Sequence, residues 1–144
     1  MFIRWIVRGH KNSDVADVTF HDAYLTESYR DDAGQPRQRT ISYLGNIRQL
    51  GDTFPGIERE LFLLRAELIL ESLPTLSDTD RKEMLEQLQQ KVPPLNAEEV
   101  KIAFRSNLQW YFRWWNENGD APTEEEVRQM IRDAANLSGS ITIT

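Results

Sequence analysis

The chain has 144 residues, 40% of them hydrophobic and 28% charged, with seventeen basic and twenty-three acidic side chains for a net charge of -6. That length suits one domain with a real core, or a small sheet unit joined to a helical unit, and excludes two large independent domains. The ordinary apolar share argues against wholesale disorder, and the acidic balance argues against general adhesion to phosphates or anionic lipid.

There is no cysteine, which removes disulfides, thiolate zinc sites and cysteine nucleophiles and fits a reducing, cytoplasmic setting. The opening "MFIRWIVRGH" has a short apolar run broken by Arg4, unlike a secretion signal. The richest apolar piece, Leu61 to Leu73, is interrupted by Arg65, Glu67 and Glu71 and is too short to span a bilayer. A soluble protein with no membrane partner is expected. The charge is unevenly spread: residues 1–52 hold seven basic and seven acidic side chains, so the remainder carries the whole excess of acid. A nucleic-acid surface is therefore expected in the first third.

In "FIRWIVR", Ile3, Trp5 and Val7 alternate with Arg4 and Arg8, the pattern of a half-buried strand. A polar connection, "KNSDVAD", leads to "VTFHDAYLTESYR", whose β-branched and aromatic residues predict a second strand with room for a bulge. Asp31, Asp32, Gly34 and Pro36 mark a turn, and "RQRTISYL" is the third strand. The expected register sets Glu27 opposite Arg39 and Tyr29 opposite Arg37. Continued inward, it sets Leu25 opposite Ile41 and Ala23 opposite Tyr43, with Thr26, Ser28, Gln38, Thr40 and Ser42 on the other face.

Beyond Gly45 the pattern turns helical. Pro55 suits a first turn, and "GIERELFLLRAELILESL" is expected to be the central buried helix through Ile57, Leu61, Leu64 and Leu68 with Phe62, Ile69 and Leu73. Pro74 ends it. Ser77 caps a weaker amphipathic helix using Met84, Leu85 and Leu88, and Pro93 and Pro94 separate that from a fourth element, "AEEVKIAFRSNLQWYFRWWNENG", opened by Asn96 and closed by Gly119. Pro122 and Thr123 begin a last helix with Val127, Met130 and Ile131 facing inward, and "SGSITIT" is a tail. The fold expected is α+β, a three-stranded antiparallel sheet packed against a bundle of about four helices: a sheet unit over 1–50, a helical unit over 51–137 and a tail from 138, within one compact domain.

No catalytic constellation emerges. The two histidines, His10 and His21, stand without HExxH, and no glycine pattern matches a phosphate loop or a nucleophile elbow. No catalytic residue, metal ligand or cofactor is assigned. On the aromatic run, Phe104, Leu108, Tyr111 and Trp115 share one helical stripe, with Trp110 and Trp114 on a second. Core packing is one reading of these rings; the other is a partner or self-association surface using Trp110, Arg113 and Trp114. The hairpin also has two readings. It is a cross-strand ion pair, or a cluster of Arg30, Arg37 and Arg39 on a stiff ribbon able to contact DNA, with Arg4 and Arg8 as outer contacts.

The pattern "ESYR", a turn with Gly34, "PRQR" and then "YLG" resembles the extreme N-terminal region of a group of bacterial insertion-sequence transposases over residues 1–50, and short stand-alone bacterial proteins look similar. The resemblance implies a mobile-element origin and DNA contact, and no activity. Residues 51–144 do not look like a piece of the RNase-H-like catalytic domain with its three metal-binding acids. The function expected is a non-catalytic DNA-associated or mobile-element accessory protein using the arginine hairpin. The alternative is an interaction or oligomerisation module using the aromatic helix 99–118, with a protein partner or a second copy of the chain.

Overall fold

The computed structural model describes residues 1–10 and 17–138. Most of the polar connection read over 11–17, and the tail from 139, lie outside the described residues. The elements are strands β1 (Phe2–Gly9), β2 (Val18–Arg30) and β3 (Pro36–Leu50), then helices α1 (Gly56–Ser72), α2 (Asp78–Lys91), α3 (Ala97–Asn118) and α4 (Glu124–Ser138). The fold is α+β, with one antiparallel sheet in the order β1-β2-β3. The chain divides into two compact units, Met1–Val100 and Lys101–Thr144, where the sequence suggested a boundary near residue 50.

In the first unit α1 packs on β3 and on α2, and α2 packs on β1. Alternation in the central strand places Ala23 and Leu25 toward these helices, where they join Leu44, Ile47, Phe62, Leu63, Ala66, Leu70, Met84, Leu88 and Val92 in one core. Trp5 stacks on Phe62 at 5.9 Å, and the Lys91 ammonium lies over the Trp5 ring, 4.6 Å from its centroid. The β1 edge is tied to α2 by the Ile3 N–H, which donates to Gln87 Oε1 at 3.0 Å. The helix starts follow their side chains. Ser77 and Asp80 form a capping box at α2, and Asn96 Oδ1 accepts from Glu99 N at 2.8 Å at α3.

Three expectations are corrected. First, β3 does not end near residue 45 but runs to Leu50. The tip register holds, with Glu27 opposite Arg39 and Tyr29 opposite Arg37, but two irregularities shift it further in. Leu25 faces Ser42 and Ala23 faces Gly45, so Ile41 and Leu44 are extra residues on β3. Gly45 takes φ 136 at this point, with the Phe62 ring 3.6 Å from where a Cβ would stand, a conformation open to glycine and strained for other residues.

Second, α1 is turned from the expected orientation. Its buried residues are Arg59, Phe62, Leu63, Ala66 and Leu70, whereas Ile57, Leu61, Leu64 and Leu68 are exposed. The helix is apolar on two stripes, and the stripe carrying small Ala66 allows the closer approach to the sheet. Third, α4 leaves Met130 and Ile131 exposed, with Val127 half-buried.

Candidate nucleic-acid interface

The pairing register divides the five proposed arginines between two faces of the sheet. Arg4 pairs with Tyr24, Ile6 with Asp22 and Arg8 with Phe20 across β1 and β2. The same β2 residues pair with Tyr43, Asn46 and Arg48, and Ser28 pairs with Gln38, Arg30 with Pro36. Paired residues share a face, so Arg4, Arg8 and Arg30 lie on the face opposite Trp5, Ala23 and the core. Arg37 and Arg39 lie with Glu27 and Tyr29 on the other.

The centre of the open face is Asp22, only 8% exposed. Its Oδ1 accepts from Tyr43 Oη at 2.7 Å and Asn46 Nδ2 at 3.0 Å, and its Oδ2 accepts from Arg8 Nε at 3.2 Å. Burial pushes the Asp22 carboxyl up, but the hydrogen bonds from Tyr43 and Asn46 and the charge of Arg8 outweigh it and hold the group below its ordinary value. Burial, and then the bond to Asp22, push the Tyr43 phenol up to about 12. Around this hub, Tyr24 and Tyr43 lie 5.1 Å apart at 36°, and the Arg8 guanidinium sits 5.8 Å from the Phe20 ring. From α1, Glu58 pairs with Arg48 and Arg65 lies 5.9 Å from the Tyr43 ring, so helix side chains reach this face at its β3 margin.

At the hairpin tip the arginines are exposed yet paired. Arg37 Nε donates to Asp31 Oδ2 at 3.0 Å, Arg39 Nε donates to Glu27 Oε1, and Arg30 Nη1 donates to the Gly34 carbonyl at 2.9 Å. Arg39 also lies 4.7 Å from the Tyr29 ring. The hydrogen bonds that Asp31 accepts, from the Gln35 backbone first and then from Arg37, hold its carboxyl below the ordinary range. The cross-strand ion pair is formed by Arg39 with Glu27, and Arg37 pairs with Asp31, while the arginine side chains remain 62% and 61% exposed. Arg4 is exposed and makes no ion pair among the described residues.

In the second unit α3 buries no residue. Trp110 and Trp114 are 55% and 44% exposed, Arg113 is exposed, and Tyr111 stacks on Trp115 at 5.9 Å along the helix itself. Leu108 and Trp115 are half-buried. Among the described residues there is no group of three or more His, Asp or Glu side chains placed to hold a metal ion, and no helix long and apolar enough to cross a membrane.

Residues 17–83 match the family model described as IS1634 family transposase, N-terminal domain. That stretch is a region similar to the N-terminal domain of this transposase family, which supports an association with mobile elements. The matched region takes in all of β2, β3 and α1 and part of α2, so it reaches beyond the residues 1–50 whose motifs suggested it. Arg30, Arg37, Arg39 and the Asp22 hub on β2 and β3 fall inside it; Arg4, Arg8 and the aromatic helix fall outside. No curated protein and no solved structure matches the chain.

The sequence reading missed Asp22, Tyr24, Tyr43 and Asn46 as a group. A signal was present: on the central strand Asp22 is a carboxylate between buried His21 and Ala23, and a buried carboxylate needs donors. Its donors, however, lie fourteen to twenty-four residues away.

Proposed function

We propose that the chain is a bacterial mobile-element accessory protein that contacts DNA through its sheet and performs no strand chemistry of its own. One observation carries this reading beyond the family match. Residues 27–39 of β2 and β3 pair with one another as a two-stranded ribbon that carries Arg37 and Arg39 near its tip. A β-ribbon of this width fits the major groove of duplex DNA. Glu27 and Asp31 engage Arg39 and Arg37 through Nε alone, which orients each guanidinium and leaves its two terminal nitrogens for phosphate. Because the same carboxylates cancel part of the charge, the contact should be modest in strength and sensitive to salt.

Replacing Arg37 and Arg39 together with Ala tests it. Duplex binding should weaken, the slope of log affinity against log salt should fall by about 1.8, and the melting curve should stay in place. Binding with an unaltered slope would reject the hairpin contact.

A second reading is favoured by the exposure of α3. No residue of this 22-residue helix is fully buried, and exposed aromatic and arginine side chains are the types that anchor interfaces, so Trp110, Arg113 and Trp114 form a self-association surface in this reading. Light scattering gives the molar mass directly, and a strict monomer at about 100 µM would count against it.

A further inference from the structure

We infer that the open face of the sheet binds single-stranded DNA, its bases stacked on the Tyr24 and Tyr43 rings and its phosphates held by Arg4, Arg8 and Arg30. The inference rests on the DNA-contact reading above and moves the site from the ribbon tip to the sheet.

Charge supports it first. In a chain of net charge -6, this face gathers Arg4, Arg8, Arg30 and Arg48, and its own strands supply one carboxylate, Asp22. Arg48 is taken by Glu58, and Asp22 is sunk beneath its three donors. Among the described residues that leaves Arg4 without an ion pair, Arg30 bonded to a backbone carbonyl and Arg8 with a 60% exposed side chain. A polyanion is the ligand such a surface attracts.

The rings decide which polyanion. Tyr24 and Tyr43 stand on neighbouring strands in the middle of the face. The phenol of Tyr43 is pinned by Asp22, so the ring is held in place before any ligand arrives. Bases in a duplex hide their flat faces within the stack, whereas an unpaired strand offers one π-face per nucleotide to aromatic side chains on a sheet. Ser28, Gln38, Thr40 and Asn46 lie exposed on the same face and supply both donors and acceptors for base edges.

The experiment uses the full chain and fluorescein-labelled oligonucleotides, oligothymidylate of twenty residues and a duplex of equal length, in anisotropy titrations at low and moderate salt. The single strand should bind more tightly than the duplex. Tyr24→Thr or Tyr43→Thr should weaken it roughly ten- to hundredfold, while Tyr43→Phe, which keeps the ring, should change it less than about threefold. Arg4→Ala, at an exposed residue outside the core, should lower the salt slope by about 0.7. Circular dichroism melting of each variant separates lost binding from lost fold. Duplex preference that disappears in the Arg37→Ala, Arg39→Ala variant and ignores both tyrosines overturns this inference and leaves the ribbon contact standing. Absence of binding to either oligonucleotide at low salt removes both readings.

Discussion

Replacing Asp22 with Asn probes the sheet at its most connected polar group. The amide can still accept at one oxygen from Tyr43 and Asn46, now 2.7 and 3.0 Å from a carboxylate, but it presents N–H groups to the Arg8 guanidinium in place of Oδ2. Hydrogen bonds to a charged acceptor contribute about 1.5–3 kcal/mol each against about 1 for neutral ones. The Arg8 pair, exposed on the arginine side, adds well under 1 kcal/mol. Tyr43 and Asn46 can each recover water, being exposed, so the net loss at neutral pH is about 2 kcal/mol. Urea unfolding followed by far-UV circular dichroism measures it. The folded-state pKa of Asp22 is depressed. Its stabilisation is therefore present above the unfolded value of about 3.9 and is lost as pH falls through the folded value. The gap between the two proteins should be full at pH 6–7 and close as the medium is taken below pH 3. Equal stability at pH 7, or a gap that survives undiminished at pH 2, would refute the argument.

The remaining predictions concern neighbouring groups. In an ultraviolet titration one tyrosine should ionise near pH 12; that step should vanish in Tyr43→Phe and move toward 10 in Asp22→Asn. Phe62→Ala removes a buried ring stacked on Trp5 and should cost about 3–5 kcal/mol in chemical unfolding; a loss under 1 would contradict the packing. His21 is held below its ordinary pKa, chiefly by burial and further by Lys91, against a bond to Gln49. On acidification the unfolded chain therefore takes up that proton first, and stability should decline from about pH 6.5 downward, a decline that His21→Gln should reduce.

What the sequence disclosed was governed by short-range chemistry. The bounds of β2, the turn at Asp31 to Gln35, the tip pairs of Glu27 with Arg39 and Tyr29 with Arg37, and the caps at Ser77 and Asn96 all depend on residues within about a dozen positions of one another. The two bulges did not announce themselves, because strict alternation cannot reveal that Ile41 and Leu44 are supernumerary. Nor could periodicity choose between the two apolar stripes of α1. The five arginines were visible as residues but not as two sets, since placing Arg4 and Arg8 on one face with Arg30 needs the register of β1 against β2. The Asp22 cluster was hidden for the same reason, its donors arriving from both flanking strands.

The central claim is that this acidic protein binds DNA through its sheet. The most direct measurement is the equilibrium anisotropy of labelled oligothymidylate with the wild-type chain and with the Tyr24→Thr variant, side by side at about 50 mM salt. Saturable binding by the wild type and a large loss in the variant is the expected result; equal binding by the two, or none by either, would contradict it.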